Sequence, residues 1–227
     1  KNMGTAKPSK SSWVDKKAQS GTTYRYTVRT LCGSTKSPYK ASNSVLYLKE
    51  PKVTISNVTN GITVKWTQAL QAKGYRVYRS QLDTATGKWS NWKNMGTAKH
   101  SKSSWTDKSV VSGVTYKYTV RTVSGKSLSS FTASSSLKYL STPQLLTCFK
   151  TADGNVVTYQ QVSGADGYKI YRKSATEGWV EIATVSGNNN VNYTDKTAEA
   201  MVDYVYTVRA CSGKYISSHN KDGIFAK

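Results

Sequence analysis

Gly113-Val114-Thr115-Tyr116-Lys117-Tyr118-Thr119-Val120-Arg121 is the stretch that decides the fold. Its large apolar side chains fall at every second place, a period of two that fits a strand with one buried face. Tyr116, Tyr118 and Val120 are expected to point into a core, and Lys117, Thr119 and Arg121 to point out. The same words recur as Tyr26-Thr27-Val28-Arg29-Thr30 and as Tyr206-Thr207-Val208-Arg209, so the chain repeats this strand three times.

Working outward, a shift of 92 lays residues 1–51 on 93–143 without a gap, with 31 of 51 positions identical. Lys1-Asn2-Met3-Gly4-Thr5-Ala6-Lys7 returns as Lys93-Asn94-Met95-Gly96-Thr97-Ala98-Lys99, and Ser11-Ser12-Trp13 as Ser103-Ser104-Trp105. A third copy has diverged further. Gly74-Tyr75-Arg76-Val77-Tyr78-Arg79 matches Gly167-Tyr168-Lys169-Ile170-Tyr171-Arg172, and the offset falls from 93 there to 88 at Tyr118 and Tyr206, so five residues are missing from one loop of the third copy. The repeats divide the chain into a truncated copy at 1–51, a full copy at 52–143 and a full, diverged copy at 144–227. Pro51 and Pro143 hold the same place before a new strand. Few residues separate the last aliphatic of one copy from the first of the next, which predicts a semi-rigid rod; a long Gly/Ser spacer would predict independent tumbling. The first copy lacks its opening strands and is expected not to close its own core, as in a fragment of a longer array.

Within the middle copy Val53-Thr54-Ile55, Ile62-Thr63-Val64-Lys65-Trp66, Tyr75 to Arg79, Trp92 to Met95 and Tyr116 to Thr122 are short, rich in β-branched and aromatic residues, and separated by Gly, Asn and Ser turns. No window holds a helical apolar stripe. About seven strands in about 90 residues predict an all-β, two-sheet sandwich.

Trp66 eight residues before Gly74-Tyr75-Arg76-Val77-Tyr78-Arg79, then Trp92-Lys93-Asn94-Met95, Trp105-Thr106-Asp107 and Gly113 to Arg121, resembles a fibronectin type III domain over the whole chain. The resemblance implies tandem immunoglobulin-like β-sandwiches, with Tyr24, Tyr116 and Tyr204 pinning the corner between the fifth and sixth strands. The third copy departs by placing Tyr159 where Trp66 stands. The words GYRVYR and YTVRT are similar to tandem repeats on the surface of Gram-positive gut bacteria. That likeness implies an extracellular location, secreted or at the bacterial cell surface, and a role as an adhesin for host glycoproteins, immunoglobulins or glycans.

Charge bears on partners. The 227 residues carry 33 Lys and Arg against 12 Asp and Glu, a formal +21, and this is divided unequally: +8 in 1–51, +12 in 52–143 and +1 in 144–227. Such a surplus speaks to association and solubility, not to fold. On the outer sheet face of the middle copy it gathers Arg76, Tyr78, Lys117 and Arg121. The first copy offers Arg25 and Arg29 at matching places, and the third Lys169, Tyr171 and Arg209, with Val205 replacing one basic residue. Two readings stay open: a ligand-binding face, or residues that solubilise a sheet and discourage edge pairing. Trp89 lies in the insertion Asp83 to Asn91, absent from the third copy, and is a candidate for stacking on a sugar or anchoring a protein. Trp92 and Trp179, followed three residues later by Met95 and Ile182, are expected to be packing residues, as are Trp13 and Trp105.

No enzyme is expected. His100 and His219 stand in no ligating or nucleophile-pairing spacing, so no catalytic residue, metal or cofactor is assigned. Asp15, Asp107 and Asp195 recur at one position and read as turn or capping groups. Cys32, Cys148 and Cys211 are odd in number and absent from the middle copy, so the fold cannot depend on a disulfide; Cys148 aligns with Ile55 as a core residue, and a Cys148 to Cys211 bond stays an option. No apolar run is long enough for a membrane span, and no motif reads nucleic acid specifically. The expected function is a non-catalytic surface binding region; the alternative is a stalk that projects another domain and contacts anionic wall polymers.

Overall fold

The computed structural model describes residues 1–227 and contains twenty strands and no helix. In the first copy β1 (Thr22–Tyr24) pairs with β4 (Val45–Tyr47), and β2 (Leu31–Cys32) with β3 (Thr35–Lys36). The middle copy supplies β5 (Val53–Val58), β6 (Gly61–Trp66), β7 (Gly74–Gln81), β8 (Lys93–Lys99), β9 (Ser104–Asp107), β10 (Thr115–Ser124), β11 (Ser127–Leu128) and β12 (Leu137–Lys138). They form two antiparallel sheets, β5-β6-β9 and β11-β10-β7-β8, with β12 also on β10. The third copy repeats the plan with β13 (Leu145–Thr151), β14 (Gly154–Tyr159), β15 (Gly167–Lys173), β16 (Val180–Ser186), β17 (Asn192–Asp195), β18 (Val205–Ser212), β19 (Tyr215–Ile216) and β20 (Ile224–Phe225). Its sheets are β13-β14-β17 and β16-β15-β18-β19, with β20 on β18. This is the sandwich arrangement that the fibronectin type III resemblance implies.

Period-two alternation builds each core. Ile62, Val64 and Trp66 of β6 meet Tyr75 and Val77 of β7 and Tyr116, Tyr118 and Val120 of β10. In the third copy Val157 and Tyr159 meet Tyr168, Ile170, Tyr206 and Val208, with Cys148 at the predicted core position. Trp66 and Tyr75 pack with ring centroids 5.5 Å apart, and Tyr159 and Tyr168 at 4.8 Å, so the Trp-to-Tyr exchange leaves an aromatic pair in place. Each fully buried Val, Ile or aromatic side chain contributes on the order of 1.5–3 kcal/mol by leaving water. Residues 1–51 form only the β1-β4 and β2-β3 pairs, with no facing sheet. Val28, the counterpart of the fully buried Val120, is 90% exposed.

Bulges and glycine turns shape the outer face and the strand connections. Opposite β8, the register slips by one residue between Val77 and Tyr78, and opposite β16 it slips between Ile170 and Tyr171. These bulges set Asn94 opposite Tyr78 and Glu181 opposite Tyr171. The β5–β6 turn needs a residue without a Cβ, because Gly61 sits at φ +145° and a Cβ there would lie 2.1 Å from the Asp107 carbonyl oxygen; Gly154 repeats this at 2.2 Å from Asp195.

Successive copies touch through matching residues. Gly113 backs onto Gly164 and Gly21 onto Gln71, so closely that a Cβ on Gly164 would come 2.2 Å from the Gly113 Cα. Gln71 takes the positive φ of 58° that glycine supplies at position 164. Between the middle and third copies, the Ser112 hydroxyl donates to the Ser163 carbonyl at 2.8 Å and the Asn57 amide to the Ile216 carbonyl at 3.0 Å. Between the first and middle copies, the Thr122 hydroxyl donates to the Lys49 carbonyl at 2.6 Å, and the Ser130 and Thr132 hydroxyls hold Glu50.

Candidate binding face

The β7–β10 register sets Arg76 opposite Arg121, Tyr78 opposite Thr119 and Ser80 opposite Lys117, all on the face away from the core. The structure thus brings Arg76, Tyr78, Lys117 and Arg121 together as alternation predicts. Thr119 lies on this face too, as alternation predicts, yet it is only 1% exposed: the segment after β11 runs beside β10, and the Thr119 hydroxyl donates to its Thr132 carbonyl at 3.2 Å.

Trp89 reaches the same face. The insertion closes as a hairpin, with Leu82 bridged to Trp89 and the Asp83 carboxylate accepting from the Ala85 amide and the Thr86 hydroxyl, each at 2.9 Å. The Ser80 hydroxyl ties its return to the Ser90 carbonyl at 2.7 Å. The half-buried Trp89 ring lies under the Lys117 ammonium, 4.2 Å from nitrogen to centroid, a cation–π contact. The ring is therefore partly covered by a cation of its own face.

An arginine clasp recurs in all three copies. Arg29, Arg121 and Arg209 donate from Nε to the carbonyls of Ser37, Ser129 and Ser217 at 2.6, 2.5 and 2.8 Å. Ten residues after each arginine stands a ring: Tyr39, Phe131 or His219. The Arg29 and Arg121 guanidinium groups lie 5.5 Å from the Tyr39 and Phe131 centroids. Trp92 packs edge-on against Phe131 at 5.6 Å, and Trp179 against His219 at 6.3 Å. Trp92 and Trp179 are packing residues, as expected, but on the outer face and not in the core; Met95 and Ile182 are the ones that pack inward. The ten-residue spacing is present in all three repeats although the ring changes identity each time. Burial, then Arg209 and Lys221, hold the His219 imidazole below its ordinary value. Arg25 takes another course and donates from Nε to the Ser44 hydroxyl at 2.9 Å.

In the third copy Lys169 lies opposite Arg209 and Tyr171 opposite Thr207. Here a carboxylate joins them: Glu181 accepts from the Lys169 ammonium, from the Tyr171 hydroxyl at 3.0 Å and from the Thr184 hydroxyl at 3.2 Å. The Lys169 hydrogen bond is the main reason the Glu181 carboxyl titrates below the ordinary range.

Facing inward, Arg79 and Arg172 pair with Asp107 and Asp195, each at 2.8 Å. Tyr118 and Tyr206 donate to the same carboxylates at 2.8 Å, and the Ser109 and Thr197 amides cap their other oxygens. The recurrent aspartate is the expected turn group and also the acceptor of a buried arginine, which turn statistics do not foresee. Asp15 has only the Lys17 amide and the Tyr26 hydroxyl. Of the corner tyrosines, Tyr24 and Tyr116 accept from the amides of Gln19 and Val111 at 2.9 Å, whereas the Tyr204 ring packs under Arg172 at 4.3 Å and makes no such bond. All three cysteines are free, which removes the Cys148 to Cys211 option, and burial pushes the Cys148 thiol up to about 11. No group of three His, Cys, Asp or Glu side chains is placed to hold a metal, and no helix is long and apolar enough to cross a membrane.

No family model matches the chain, and no curated protein matches it. Among solved structures it is similar to a two-domain fibronectin type III segment of chicken tenascin, at 16% identity, TM-score 0.40, 76% of this chain and 97% of that one. It is also similar to the FN1–FN3 domains of chicken CNTN1, at 14% identity, TM-score 0.35, 92% of this chain and 77% of that one. A third is the chicken interferon gamma receptor alpha chain, at 9% identity, TM-score 0.41, 76% of this chain and 95% of that one.

Proposed function

We propose that this chain is a non-catalytic binding region of a bacterial surface protein, engaging a host or extracellular ligand through the outer faces of its β7–β10 and β15–β18 sheets. Glycoproteins, immunoglobulins and glycans are the ligand classes this reading covers. The observation that supports it is the continuity of one face in the middle copy: Arg76, Tyr78, Lys117 and Arg121 in register, with Trp89, Trp92 and Phe131 stacked among them. Aromatics that interleave with cations offer both area and charge to a partner, and repetition along the chain supplies avidity. The full chain is to be tested on a glycan array and in an immunoglobulin pull-down at roughly physiological salt, where exposed charges are screened beyond about 8 Å. Binding is expected to persist there and to fall at least about tenfold on Trp89→Ala or Tyr78→Ala, a loss of the size a single interface anchor carries. Binding that disappears with salt and ignores both substitutions would refute it and favour contact with anionic wall polymers.

The second reading, a stalk that projects another domain, draws on the two junctions, where Gly21 and Gly113 meet Gln71 and Gly164 in the same way. Close packing at both favours a semi-rigid rod, and a rod serves a binding face and a spacer equally well.

A further inference from the structure

The middle and third copies share one face but settle its charge differently. In the third, Glu181 sits opposite Tyr171 and its carboxylate takes hydrogen bonds from Lys169, Tyr171 and Thr184. In the middle copy the counterparts are Arg76, Tyr78 and Thr97, and the residue opposite Tyr78 is Asn94. Asn94 brings no charge, and its side-chain oxygen is turned to the Gly96 amide at 3.0 Å. Arg76 and Arg121 stand directly opposite each other, an arrangement that repels. None of the four ion pairs in the structure includes either of them. Glu50 is engaged by the Ser130 and Thr132 hydroxyls. A second, independent observation falls at the same spot: the Arg76 Nε is buried and has no hydrogen-bond partner. A buried donor without an acceptor is destabilising, and more so when it is charged.

We infer that the Arg76–Tyr78–Arg121 face of the middle copy is a receptor for a carboxylate of an acidic peptide segment, the place that Glu181 fills internally in the third copy. This rests on the reading of the face as a binding surface and names what it takes. The internal stand-in is a glutamate side chain, so a peptide carboxylate is the source that the structure itself exhibits. An arginine fork matches a carboxylate's two oxygens better than the lysine of the third copy does. Of the polar groups around the site, Thr97 and Tyr78 are uncharged donors and Arg121 is held by the Ser129 carbonyl, so nothing on the face competes for the anion.

The test is titration calorimetry of the full chain with an acetylated, amidated pentaglutamate peptide at roughly physiological salt, where long-range attraction to the basic chain is screened. Wild type should bind one peptide at this face, and the Arg76 Nε–H resonance should move on binding. Asn94→Glu supplies the internal carboxylate and should weaken that binding at least about tenfold, while Asn94→Gln, of equal length and uncharged, should leave it. Glu181→Asn should open a second site in the third copy. Unchanged binding by Asn94→Glu, with a still Arg76 resonance, would overturn the inference. So would preferential binding of an oligouronate of equal charge, which would move the source to acidic sugars. If ligand binding is lost in Trp89→Ala but untouched by Asn94→Glu, the binding face stands and the carboxylate receptor falls.

Discussion

At the residue scale, a buried aspartate ties the two sheets of each complete sandwich together. Asp107 is 1% exposed and its arginine partner 12%. Removing one member of such a pair leaves an uncompensated buried charge, so Asp107→Asn is expected to lower the unfolding free energy by about 3–5 kcal/mol. Asp15→Asn, at the same repeat position but with no arginine facing it, should change it far less; urea titrations of both variants decide. Burial alone would raise the Asp107 and Asp195 carboxyls, but hydrogen bonds from Ser109 and Thr197, from Tyr118 and Tyr206 and from the arginines outweigh it and hold both below the ordinary 3.8. A folded value below the unfolded one means that the unfolded chain takes up protons first as pH falls. The resulting stability is complete above the unfolded value and is lost as pH drops through the folded one. Melting temperatures should therefore hold down to about pH 4 and then fall, with a shallower fall in Asp107→Asn. The recurrence of Asp at this place was legible in the sequence. Its pairing was not, because Arg79 precedes it by 28 residues and only the closing of one sheet on the other joins them.

At the scale of elements, strands and alternation followed from composition, while two irregularities did not. The bulge that sets Asn94 or Glu181 over the face depends on how β8 and β16 meet their neighbours, and one slipped residue reverses which side chains face out. The rings ten residues after the clasp arginines carry no common residue signal, because Tyr39, Phe131 and His219 differ in chemistry and share only a place. Phe131→Ala takes away the surface on which both Arg121 and Trp92 rest. It is expected to cost about 0.5–1.5 kcal/mol beyond the area lost, and a double-mutant cycle with Trp92→Ala should show the two coupled. Gly61→Ala has a different cause, since its Cβ would strike the Asp107 carbonyl at the start of the turn after β9. A loss of about 1–3 kcal/mol is expected there, more than for alanine at Gly87, whose Cβ would meet nothing, so that only the positive φ of 67° penalises it, by about 1 kcal/mol.

For the whole molecule, the proposed rod turns on the glycine contacts between copies. A bulky side chain at Gly164 cannot fit against Gly113, so Gly164→Leu should broaden the distribution of distances in small-angle scattering while the core signals of each sandwich persist. An unchanged profile would show that the junction does not set the shape. The sequence by itself determined the repeats, the all-β class, the identity of the core residues and the grouping of basic side chains on alternate positions, because period and spacing are local and survive any rearrangement of loops. Only the tertiary structure decided which charges are answered. Whether an arginine meets a carboxylate, a ring, a carbonyl or another arginine depends on strand register and on sheet facing sheet, and those bring together residues that lie tens of positions apart.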